Sequence, residues 1–129
     1  MSKIDENVKG LLNKVKVWTL CTSSGKPNAV PILFKKIDGN DDLVFYDVFM
    51  KKTLENIKQN DNVSVVAYDE ENLQGYQLKG TAVYSNDEAM VAEGNETTSK
   101  FKLTTKGAVI VKVDEVIVLT PGPDIGKVL

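Results

Sequence analysis

The residues best placed to do chemistry in this 129-residue chain are Lys51, Lys52 and Thr53. They lie in the stretch Asp47 to Asn60, where an apolar strand ending at Val48 runs into a helix beginning near Thr53. The first turn of a helix presents unpaired N–H groups and a partial positive charge, so each lysine there is unfavourable by roughly 0.3–1 kcal/mol unless an anion is nearby. A bound phosphate reverses that sign. It can take the helix N–H groups, the Thr53 hydroxyl and the point charge of Lys52 together. The competing reading is a solvated lysine pair with Thr53 serving only as N-cap.

The composition narrows the chemistry further. Histidine is absent, which excludes zinc sites built on imidazole and catalysis by a His base or a Ser-His dyad. All 16 basic residues are lysines, so a phosphate can be gripped only by Lys, hydroxyls and backbone N–H groups. No metal site is expected, and no side chain stands out as a catalytic acid or base. The formal net charge is -2 and the pI is near 5.2, so no global field attracts nucleic acid or an anionic membrane. The one cysteine, Cys21, cannot close an intrachain disulfide, which together with an amino terminus lacking a signal-peptide run points to a reducing, cytoplasmic setting.

The elements that must position these residues follow from periodicity. Ile4, Val8, Leu11, Leu12 and Val15 recur at helical spacing and predict an amphipathic first helix. Residues 17–22 read as a strand, 23–27 as a turn around Gly25, and 28–37 as a second strand. Pro31 interrupts that second strand and places it on an edge or at a bulge, because proline removes a ladder donor. Strands follow at 43–48, 63–68 and 76–84, with Leu54 and Ile57 as the core face of the intervening helix and Gly80 marking a bulge or close backbone approach. A helix is expected between Asn86 and about Lys102, then a strand pair, or one long strand bent at Asp114 and Glu115, over 107–120. Pro121 then turns the tail back. The chain is expected to be one domain over residues 1–129, mainly β (α+β), a mostly antiparallel barrel with peripheral helices.

Three segments, in this order, resemble the pyridoxamine 5'-phosphate oxidase-related, FMN-binding split-barrel family. They are Gly25 to Pro31 (GKPNAVP), Lys52 to Ile57 (KTLENI) and Gly75 to Ala82 (GYQLKGTA). The resemblance runs from the first helix to about Val118. It implies a six-stranded antiparallel split β-barrel and a homodimer with an FMN in each of two clefts at the subunit interface. It also implies that the phosphate is held at Met50, Lys51, Lys52 and Thr53. The isoalloxazine ring would lie along the backbone of Val30, Pro31, Ile32 and Leu33 and of Phe45, Tyr46, Asp47 and Val48. Asn56 matches the family motif and could orient the phosphate loop, or could be a polar residue on an exposed helix face. Gln77 and Lys79 share a strand face from which they could reach across the dimer or simply meet water. Leu103 and Thr104, with Phe101 nearby, stand where small electron carriers of the family place an aromatic against the flavin edge. Leu129, at the chain end, is a further weak match. True pyridoxamine phosphate oxidases use Arg and His in their pyridoxal phosphate site, and this sequence contains neither, so that activity does not carry over.

The reading reached from sequence is therefore an FMN-binding flavoprotein, a small flavin-dependent oxidoreductase or electron carrier of unspecified substrate. The alternative is a non-enzymatic stress-response or binding module of the same fold carrying another planar ligand, such as haem or a deazaflavin, or none. An oligonucleotide-binding barrel is disfavoured by the acidity and the missing basic-aromatic groove.

Overall fold

The structure is a computed structural model describing residues 4–129. Met1, Ser2 and Lys3, part of the amino-terminal stretch considered above, lie outside the described residues. Helix α1 spans Glu6–Lys14 and starts where the Asp5 carboxylate accepts the Val8 N–H at 2.9 Å, an N-cap that satisfies one orphan donor. It buries Val8, Leu11 and Leu12. Trp18 then donates its indole N–H to the Leu12 carbonyl at 2.9 Å, tying the helix end to the first strand.

Seven strands follow. They are β1 (Trp18–Ser24), β2 (Lys26–Ile32), β3 (Lys35–Ile37), β4 (Leu43–Asp47), β5 (Asn62–Asp69), β6 (Gln74–Ser85) and β7 (Gly107–Val118), with helices α2 (Lys52–Gln59) and α3 (Glu88–Thr98) between them. All pair antiparallel in one curled sheet of order β2-β1-β5-β6-β7-β4-β3. The two outermost strands, β2 and β3, are consecutive in the chain and joined only by Leu33 and Phe34. That arrangement is a split barrel, with the slit between its own first and last strands.

The strand expected over 28–37 is thus two strands, which makes the count seven and not six. Pro31 offers no N–H, and β2 pairs only with β1, where Pro31 stands opposite Thr19. After Leu33 the chain leaves that edge and rejoins the sheet beside β4, where Tyr46 N–H donates to the Phe34 carbonyl at 2.9 Å. The strand expected to end at Val48 ends at Asp47. The segment after residue 107 is a single strand, and the irregularity expected in it is real: Lys79 pairs with Glu115 but Gly80 with Val113, leaving Asp114 unmatched. A Cβ on Gly80 would lie 2.1 Å from the Lys112 carbonyl oxygen, so glycine is required for the backbones to meet there. The tail turns back as expected, with Val128 bridging Ile117.

Alternation along the strands sends Trp18, Leu20, Phe45, Val65, Leu78, Val109 and Val111 into one core, where Trp18 meets Phe45 edge-on at 5.7 Å. A smaller cluster on the other face of the sheet packs Val44, Tyr46 and Ala108 against Phe34, Met90 and Ile110. Gly94 lets α3 settle onto Tyr46 and Thr105, since a Cβ there would lie 2.7 Å from both. Tyr46 donates its phenol to Glu93, which also pairs with Lys36, so α3 is clamped to β3 and β4. Burial, then the Glu93 contact, holds the Tyr46 phenol well above the usual range. No helix among the described residues is long and apolar enough to cross a membrane.

Candidate functional site

A cleft of about 400 Å³ opens where the sheet is split. The end of β2 lines it through Val30, Pro31, Ile32 and Leu33 and continues into Phe34; Tyr46 and Leu103 also line it. The loop after β4 adds Val48, Phe49 and Met50, and the start of α2 closes one end with Lys51, Lys52 and Thr53. The cleft therefore has an apolar body and one basic, donor-rich end, and among the described residues no carboxylate lines it.

The basic end is a helix terminus without a side-chain cap. Lys51 is the N-cap residue, with φ -129° and ψ -74°, and its side chain makes no capping bond. Thr53, the N-cap in the competing reading, lies within the first turn and is buried. Lys52 meets only Glu55, at 3.7 Å with both side chains about two-thirds exposed, a pair worth little in water. Lys51 enters no ion pair among the described residues. Two ammonium groups thus flank a set of free helix N–H groups, which is the unfavourable arrangement that a bound anion relieves.

A buried polar network fastens this end to the neighbouring hairpin. Asn56, placed by sequence either at the phosphate loop or on an exposed helix face, is fully buried. It accepts from the Ser24 hydroxyl at 3.0 Å and donates to Thr22 Oγ1 at 3.1 Å. Asn28 donates to both Thr22 Oγ1 at 3.3 Å and Thr53 Oγ1 at 3.2 Å. Asn60 adds a bond to the Ser23 carbonyl at 3.0 Å. With its oxygen accepting from Asn28, Thr53, which lines the cleft, retains its hydroxyl proton for another acceptor.

A sequence description for pyridoxamine 5'-phosphate oxidase matches residues 4–120. The chain belongs to the pyridoxamine 5'-phosphate oxidase family. The uncharacterized protein MJ0282 of Methanocaldococcus jannaschii is 34% identical, over 97% of this chain and 86% of that protein. The crystal structure of HupZ from Group A Streptococcus superposes with a TM-score of 0.81 at 22% identity, covering 95% of this chain and 99% of that one. An FMN-binding protein from Syntrophomonas wolfei superposes at 0.72 with 14% identity, covering 86% and 82%. At those identities the superpositions show the shared fold.

For this pyridoxamine 5'-phosphate oxidase family chain, the structure gathers Val30, Pro31, Ile32, Leu33, Tyr46, Val48, Met50, Lys51, Lys52 and Thr53 around one cleft. Five other residues read from sequence stand outside that lining. Phe45 points into the core against Trp18. Asp47 is 1% exposed, behind the loop and outside the lining. Asn56 braces α2 from beneath. Gln77 lies on the outward face of β6, opposite Val66 and Ile117. Leu129 borders a separate cleft between α1 and the tail. Sequence reasoning missed Phe34 and Phe49, which line the cleft, and Asn28, which polarises Thr53. Asn28 was findable: counting outward from Gly25 pairs Ser24 with Lys26, Ser23 with Pro27 and Thr22 with Asn28.

Proposed function

We propose that this chain binds FMN in the split-barrel cleft and works as a small flavin-dependent oxidoreductase or electron carrier. The observation that carries the reading is the pairing of an uncapped, lysine-flanked helix start with an apolar slot in one cleft. The residues fit the group at both ends: N–H groups, the Thr53 hydroxyl and two ammonium groups suit a phosphate dianion, and Val30 to Phe34 with Tyr46 and Leu103 suit a planar ring. When bound, FMN supplies the redox chemistry. The protein's part is to anchor, to orient and to keep water from the ring face. Because β2 is an edge strand, the backbone groups facing away from β1 stay available to the polar rim of the ring.

The same reading includes a homodimer. Outward-facing residues of neighbouring strands form a continuous uncharged row, Pro31, Thr19, Val66, Gln77 and Ile117. Thr19, Val66, Gln77 and Ile117 are only partly exposed. A row of this kind suits a second copy of the chain, and Gln77 would meet that copy.

Titration of the purified protein with FMN tests the cofactor, and light scattering with and without FMN tests the dimer. FMN is expected to bind, with affinity lowered by Lys52→Ala and Thr53→Ala. Absence of flavin binding removes the cofactor; unchanged affinity in the variants moves the phosphate elsewhere.

A further inference from the structure

We propose that Asp47, which is buried, and Tyr84, which is 40% exposed, form a latch that holds the loop Val48–Lys51 in the shape that presents the start of α2 to an anion, making both of them positioning residues. The inference rests on the flavin reading for its ligand but stands on its own geometry. Asp47 ends β4 at 1% exposure. Its Oδ1 accepts the Met50 N–H at 2.9 Å and its Oδ2 accepts the Tyr84 hydroxyl at 2.7 Å. Its own carbonyl accepts the Lys106 N–H at 2.8 Å. Among the described residues no cation pairs with this carboxylate.

A buried carboxylate without a cation close to an anion site is costly unless hydrogen bonds satisfy it. Here one of them fixes the single backbone N–H that sets the turn. No other side chain among the described residues bonds to the backbone of residues 48–51. Tyr84 is placed by a second constraint. Gly107 lies opposite Asp47 in the sheet, and a Cβ there would come within 2.4 Å of the Tyr84 hydroxyl oxygen. The missing side chain at 107 is the space the phenol occupies. Burial, followed by the Asp47 contact, pushes the phenol up to about 12, which keeps it protonated and donating across the neutral range.

The test uses Tyr84→Phe, which keeps the ring in its niche and removes only the hydroxyl, and Asp47→Asn, which keeps an acceptor for Met50. FMN and riboflavin are the probes, because they differ only in the phosphate. Loosening the loop in Tyr84→Phe is expected to weaken FMN by about fivefold or more while riboflavin is unaffected, the loss of one charge-assisted contact at the anchored end. Asp47→Asn is expected to hold FMN better than Asp47→Ala. Equal weakening of both flavins, or no change in either, overturns the latch. Amide hydrogen exchange without any flavin provides the independent arm. Residues 48–53 are expected to exchange faster in Tyr84→Phe while α1 does not; unchanged exchange overturns the proposal. If the unsubstituted chain takes no FMN, the flavin reading fails, and the exchange measurement still decides whether the pair holds the loop.

Discussion

Asn28 and Thr53 come from different elements, β2 and α2, and share a hydrogen bond of 3.2 Å in which the amide donates to the hydroxyl oxygen. That direction leaves the Thr53 proton available for a second partner. Thr53→Val, which keeps the shape and loses the donor, is therefore expected to weaken FMN by about tenfold, the usual worth of a hydrogen bond to a charged group. Thr53→Ser should restore most of the affinity. Flavin fluorescence quenching reads both; a Val variant binding like the parent shows that the hydroxyl does not reach the phosphate.

Lys51 and Lys52 are exposed, so their attraction for an anion is open to screening by salt. FMN affinity is expected to fall steadily as ionic strength rises, and the Lys51→Ala, Lys52→Ala double variant should be both weaker and flatter in its salt dependence. Parallel salt curves for the two proteins would assign the attraction to other groups.

Asp69 closes β5, and its carboxylate accepts from Lys14 at 2.8 Å and from the Asn72 side chain at 2.9 Å, holding it down at about 2. A depressed carboxylate stabilises the fold above its unfolded value of 3.8 and gives that stability up as pH falls from there toward about 2. Asp69→Asn should accordingly shift the acid-unfolding midpoint upward, with the difference from the parent present at pH 6 and shrinking below pH 3.8. Circular dichroism against pH checks it, and a constant difference across that window would point to lost packing in place of lost charge.

Gly80 has no room for a side chain against Lys112. Gly80→Ala is expected to destabilise by about 1–3 kcal/mol, the cost of overpacking, because the clash is with backbone on a central strand pair. Chemical denaturation measures the shift, and Gly39→Ala, with nothing within 4 Å of the added carbon, serves as the control.

Much of this fold was legible because its signals are local. The helical spacing of Val8, Leu11 and Leu12, the turn at Gly25 and the bulge at Gly80 each follow from a few neighbouring residues. The break at Leu33 and Phe34 was not legible, because it depends on which distant strand receives the chain next, and periodicity cannot distinguish one ten-residue strand from two short ones on opposite edges. The basic end of the cleft was visible through the misplaced charges of Lys51 and Lys52. Its support was only half visible: from sequence Asn56 could orient the phosphate loop or lie on an exposed helix face, and its burial follows only once the sheet brings Thr22 and Ser24 beneath it. The competing reading of Thr53 as a cap fails because Lys51 takes the boundary position.

Only Leu33 and Phe34 connect the first strand of the sheet to the last. The two edges of the opening are therefore tied directly by a two-residue strap as well as through the interstrand ladders. Lengthening, shortening or restiffening that strap resizes the opening while leaving every other strand pairing in register.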